Sequence, residues 1–225
     1  MSMLKSSVGR KIIMGVTGLI LILFITGHVL GNMSLYAGPG GINAYAEHLH
    51  SLGPLVWVFR LIMLVLFAVH ITFGVQLSLE NRTATPVNYA IKKRMKTTFS
   101  SESMLYTGLI LLAFLIYHLL HFTVQITNPA ISSHNLPLDA AMRPDVYSMV
   151  VLSFQKTAIA LIYIVAMIAL FLHLTHGLSS FVQTLGWNNG PSQEKVTLIG
   201  KLVAVVFLLG YVAIPVFILV HLVKI

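Results

Sequence analysis

The sequence predicts an all-α integral membrane protein with five transmembrane helices, and three observations carry that prediction. Of its 225 residues, 57% are hydrophobic and 9% are charged, with a mean hydropathy of +0.89. Soluble domains run at roughly 25% charged residues, so this chain lacks the means to cover a soluble surface. Five stretches reach the ~20 apolar residues that a bilayer-crossing helix needs. All six acids (Glu47, Glu80, Glu102, Asp139, Asp145 and Glu194) fall between those stretches or at their ends.

The stretches run from about 11 to 35, 54 to 79, 104 to 127, 156 to 181 and 198 to 222, as one transmembrane domain over 1–225. Lys5, Arg10 and Lys11 precede the first, as in a secretory signal. Its apolar run is too long for a signal core, however, and no small-x-small cleavage site follows, so a permanent helix is expected. Pro144 opens a stretch, 144–154, too short to span and expected to lie at the interface as an amphipathic helix. No internal repeat of the kind common among transporters is visible.

Basic residues orient the bundle. Of 14 Lys and Arg residues, Lys5, Arg10, Lys11, Arg82, Lys92, Lys93, Arg94, Lys96, Lys195 and Lys201 flank one face. Arg60, Arg143, Lys156 and Lys224 belong to the other. The N-terminus is therefore expected in the cytoplasm and the C-terminus outside. The formal charge of +8 then belongs mostly to the cytoplasmic face. It suits anionic lipid headgroups or a cytoplasmic partner, and nothing points to nucleic acid.

There is no cysteine, and there are ten histidines. The first fact excludes disulfides, zinc–thiolate sites, iron–sulfur ligation and thiolate-held haem. With no acid inside a span to pair with them, histidines there should be neutral, the form that ligates iron. At ~1.5 Å per residue, His28 lies about 25 Å outward from Lys11, and His118 about 21 Å outward from Met104. On the inward-running helices, His70 lies about 24 Å from Pro54 and His173 about 25 Å from Lys156. The four sort by depth into an outer pair, His28 with His118, and an inner pair, His70 with His173. Two bis-histidine haems stacked across a membrane would need that arrangement. A lone histidine could instead bond a neighbouring helix. His121 follows His118 at i+3 and His176 follows His173 at i+3, so spacing leaves open which of each two would bind iron. His48, His50 and His134 fall in expected loops, and His221 has no partner at its depth.

Several motifs resemble the cytochrome b membrane anchor of succinate:quinone and quinol:fumarate oxidoreductases, in its five-helix, two-haem form. SSVGRKIIMGVTG leading to GHVLGN resembles that family's first helix, HITFG its second and TGLILLAFLIYH its third. HLTHGLSSFVQTLGWNN in the fourth is the most specific. The resemblance covers nearly the whole chain. It implies two haems b, with His70 and His173 as ligands of the proximal iron and His28 and His118 of the distal one. His121 and His176 would support the ligands or sit beside haem or quinone.

It further implies a relay to membrane quinone, with menaquinone expected. A flavoprotein subunit and an iron–sulfur subunit would dock on the cytoplasmic face, in a bacterial or archaeal cytoplasmic membrane. With no cysteine and no dinucleotide fingerprint, this chain can hold neither of those partners' centres. Within INAYAEHLHSLGP, Glu47 is the one acid that could match the family's quinol-side carboxylate, with His48 and His50 as competitors. Arg60 needs either a buried anion, such as a haem propionate, or a path to the interface. Ser7, Arg10 and Lys11 could meet propionates or the iron–sulfur partner. The rival readings are the cytochrome b of a hydrogenase or formate dehydrogenase, and a histidine-based metal or proton transporter.

Overall fold

A computed structural model describes residues 4, 6–84, 98–188 and 192–225. Of the residues singled out above, Lys5, Lys92, Lys93, Arg94, Lys96 and Asn189 lie outside that set. The described residues are helical, without strands, and five helices are long and apolar enough to cross a membrane. That is the character of a multi-pass membrane protein.

α1 (Ser7–Asn32) starts where the Ser6 hydroxyl accepts the Gly9 amide at 2.9 Å, satisfying one of the free donors of a helix start. It continues as a 3₁₀ turn, Met33–Ala37. α3 (Pro54–Thr83) begins at a proline, whose missing N–H costs nothing in a first turn. α4 (Phe99–Glu102) is a single turn capped by Thr98. α5 (Met104–His118) passes directly into a π turn, Leu119–Thr123. α6 is Val146–Phe154, α7 Thr157–Thr184 and α8 Gln193–Leu219. The first, second, fourth and fifth spans come out slightly longer than expected, and the third ends near Thr123.

α7 is the centre of the bundle. It packs most extensively on α8 and also meets α5 and α1, while α1 packs along α3. Ala160, Ala166 and Ala169 on α7 and Ala204 on α8 are all buried, and small residues let helices approach closely where lipid supplies no hydrophobic drive. At one end, Arg10 of α1 and Glu80 of α3 form an ion pair at 2.6 Å. Glu80 thus lies in the last turns of its helix, at the level of the start of α1, as the distribution of acids led one to expect.

Two segments differ from the sequence expectation. INAYAEHLHSLGP was expected as a loop, yet it lies mostly in a helix, α2 (Pro39–Ser51). Gly38, at φ +74°, turns the chain into that helix, and Pro39 opens it. Asn43, only 1% exposed, anchors α2. Its Nδ2 donates to Asp139 at 3.0 Å and Asp145 at 3.2 Å, and its Oδ1 accepts the Tyr147 amide at 2.8 Å. α6 matches the expected short helix, but it is seated in the bundle, with Tyr147, Met149, Val151, Ser153 and Phe154 all buried. Asp145 caps it through the Ser148 amide at 3.0 Å.

α2 also touches the 3₁₀ turn closely. A Cβ at Gly41 would stand 2.3 Å from the Ser34 carbonyl oxygen, a backbone atom that cannot swing aside, whereas Gly40 faces open space. Gly41→Ala is expected to destabilise by about 1–3 kcal/mol, as overpacking does. Gly40→Ala should be neutral or slightly stabilising, since alanine favours a helix. Thermal unfolding of the two variants in detergent makes the comparison.

Asp139 meets the Arg143 guanidinium at 2.8 Å and accepts the Ala141 and Arg143 amides. The Arg143 side chain first, then these amides and Asn43, hold its carboxyl below the usual carboxylate range. A depressed carboxyl stabilises the fold above its ordinary pKa and loses that contribution as pH falls through the folded value. Stability should therefore decline as the medium is acidified below about pH 5. Asp139→Asn should flatten that part of a stability–pH profile.

Candidate functional site

Four long helices each bring one histidine inward. His28 of α1 faces His118 of α5 with ring centroids 5.8 Å apart, and His70 of α3 faces His173 of α7 at 6.4 Å. Depth counting from sequence expected these two pairs. Two imidazoles binding one metal in line through Nε2, at ~2.0–2.1 Å each, place their centroids about 6.3 Å apart, so both pairs lie within about half an ångström of that spacing.

The inner pair is held in one orientation by threonines. The Thr17 hydroxyl donates to the Ile13 and Met14 carbonyls at 2.9 and 3.0 Å, so its oxygen is left to accept from His70 Nδ1, 3.3 Å away. The Met14 carbonyl, 3.2 Å from the same nitrogen, is a second acceptor. Thr107 repeats the device on α5. It donates to Ser103 and Met104 at 3.1 Å and lies 3.2 Å from His173 Nδ1. With each Nδ1 carrying the proton, each Nε2 keeps its lone pair, the tautomer that a metal ligand requires. Gly18 makes room for the His70 ring, since a Cβ there would come within 3.1 Å of His70 Cε1, whereas one at Gly108 would rest in ordinary contact, 3.7 Å from His173 Cε1.

In the outer pair, His118 Nδ1 lies 3.3 Å from the Tyr163 hydroxyl. His121 bonds through both ring nitrogens, to Tyr163 at 2.9 Å and to Ser153 at 3.2 Å. Spacing left His118 and His121 open; in the structure His118 is the one that faces His28, and His121 is engaged on both sides. The π turn that starts after His118 widens the helix and carries His121 toward α6 and α7, a local feature frequent at functional sites. His28 is the exception among the four, since its Nε2 lies 3.4 Å from the Asn32 amide, near the upper limit of a hydrogen bond. All four facing histidines are half-buried, whereas His121 is buried.

Each pair offers at most two ligands, and among the described residues no cluster of three or more His, Cys, Asp or Glu side chains could hold a metal ion. A metal held between either pair must draw its other ligands from a group such as a macrocycle. At the inner end, the buried Arg10 Nε has no hydrogen-bond partner among the described residues, a donor that a carboxylate such as a propionate would satisfy. The donor chemistry, the spacing, the Nε2 atoms of His70, His118 and His173, which meet no hydrogen-bond partner among the described residues, and this orphaned donor fit bis-histidine haem; His28 Nε2, beside Asn32, is the exception.

No protein family, no curated protein and no solved structure is matched by the chain. The functional reading rests on its own residues.

The remaining candidates lie elsewhere. Glu47, His48 and His50 are exposed on α2, and among the described residues no hydrogen bond or ion pair links Glu47 to either histidine pair. His134 and His221 are exposed, and His176 is half-buried. Arg60 is exposed with its guanidinium 4.8 Å over the Trp57 ring, the posture of an arginine reaching for an interface. With His50, Gly53, Pro54 and Val56 these two line an open cavity of about 540 Å³. The sequence reading missed Thr17, Thr107 and Tyr163. Their one signal was a hydroxyl on an otherwise apolar helix.

Proposed function

We propose that the chain is the two-haem cytochrome b anchor of a succinate dehydrogenase or fumarate reductase, relaying electrons between an iron–sulfur subunit and membrane quinone. The observation that carries this reading is the pair of facing histidine couples, each drawn from two helices. In the inner couple each Nδ1 lies within hydrogen-bond distance of a threonine hydroxyl, and among the described residues no hydrogen bond engages either Nε2. His70 and His173 would hold one haem b, and His28 and His118 the other. When bound, such groups supply single-electron carriage between the two ends of the bundle.

The chain's own residues do the rest. Thr17 and Thr107 fix the inner imidazoles, the spans exclude water, and the basic N-terminal face offers a cytoplasmic docking surface for the iron–sulfur and flavoprotein subunits. A cysteine-free chain must borrow iron–sulfur chemistry from such partners. The resemblance of the HLTHGLSSF segment favours this complex over a hydrogenase or formate dehydrogenase.

Affinity purification through a tag on this chain tests the proposal. Co-purifying flavin and iron–sulfur centres, with succinate-dependent quinone reduction that His70→Ala abolishes, are expected. Recovery with hydrogenase or formate dehydrogenase subunits, or with none, would overturn it.

A further inference from the structure

Behind the outer couple runs a chain of hydrogen bonds whose directions follow once the Ser153 hydroxyl donates to the backbone. Ser153 has one hydroxyl proton and spends it on the Met149 carbonyl at 2.7 Å. Its oxygen therefore accepts the Nε2–H of His121, at 3.2 Å. A neutral imidazole carries one N–H, so His121 Nδ1 is a lone pair and takes the Tyr163 hydroxyl proton, at 2.9 Å. The Tyr163 oxygen is then an acceptor, and His118 Nδ1, at 3.3 Å, is its donor. The donors thus run in one sense, His118, Tyr163, His121 and Ser153, and end on the α6 backbone carbonyl of Met149. His118 Nε2 is left with its lone pair toward His28.

The chain is built rather than incidental. Tyr163 and His121 are buried, and Ser153 is fully so. The Tyr163 ring is clamped edge-on by Phe114 and Phe154, each 4.9 Å away, so its hydroxyl has little choice of partner. The π turn places His121 where both its nitrogens are met.

Resting on the two-haem reading, we infer that Tyr163, His121 and Ser153 are positioning residues for the outer haem, which fix the His118 tautomer and strengthen it as a ligand. An Nδ1–H that donates to an acceptor makes the opposite nitrogen more basic. A more basic ligand favours oxidised iron, so removing the acceptor raises the reduction potential.

Redox titration of the b-type bands in membranes holding the full chain and its partners is the test. His118→Ala identifies the outer band by its loss. Tyr163→Phe keeps the clamped ring and removes only the hydroxyl, while Ser153→Ala removes the far acceptor. Tyr211→Phe is the control, because Tyr211 donates to the Ile25 carbonyl at 2.6 Å and lies 6.2 Å from the His28 ring without bonding it. Tyr163→Phe should raise the outer midpoint, Ser153→Ala should raise it less, and the inner midpoint should stay fixed under both. Haem retention at the outer site should also fall 10–100-fold in Tyr163→Phe, the usual cost of losing such a partner. Tyr211→Phe should move neither band.

An unmoved outer band in Tyr163→Phe, an equal shift of both bands, or an equal effect from Tyr211→Phe would overturn the inference and leave the haem reading intact. Should Tyr163→Phe fail to accumulate, an unmoved outer band in Ser153→Ala overturns it alone. Wild-type membranes without any b-type band attributable to this chain would instead sink the haem reading itself.

Discussion

His70→Ala and His173→Ala should each remove the same haem and leave the other in place. His28→Ala and His118→Ala should remove the second haem and spare the first. Each variant should then retain about half the haem of the wild type, since an iron that loses one of two axial ligands is poorly held. The pairing follows from ring centroids at 6.4 Å for His70 with His173 and 5.8 Å for His28 with His118. His121→Ala should keep both haems, because the His121 nitrogens are bonded to Tyr163 and Ser153. Haem per chain and reduced-minus-oxidised spectra of the five variants make the measurement. Loss of one and the same haem in His28→Ala and His70→Ala would refute the pairing.

The second large effect is expected at the threonines. Thr17→Val and Thr107→Val keep the side-chain shape and remove the acceptor of one inner Nδ1–H. Partners of this kind cost 10–100-fold in metal affinity when lost. Transfer of haem to a scavenger protein should accelerate accordingly from the inner site alone. Thr107→Val should act more strongly than Thr17→Val, because the Met14 carbonyl remains to accept from His70. Serine at either position should restore retention. Equal acceleration at both sites would mean that the substitutions merely loosen the bundle.

The spans and the histidine pairs were legible in the sequence because both depend on local regularities. A run of apolar residues marks a helix, and 1.5 Å per residue turns position into depth. α2 was not legible in the same way. It is short and too mixed in composition to show a clear apolar run, and it is held by Asn43 reaching residues about a hundred positions away, Asp139, Asp145 and Tyr147. That His118 and not His121 faces His28 was likewise beyond spacing, because a π turn and packing against α6 and α7 decide it. Thr17 meets His70 and Thr107 meets His173 only once the helices are assembled. Glu47 shows the opposite limit. As the one acid in its segment it stood out in sequence, yet the fold leaves it exposed on α2.

Haem content of the purified wild-type chain tests the central claim most directly. Two b-type haems per chain, both lost when all four facing histidines are replaced, are the expected result. Protein purified without haem, or haem that survives replacement of His28, His70, His118 and His173, would contradict it.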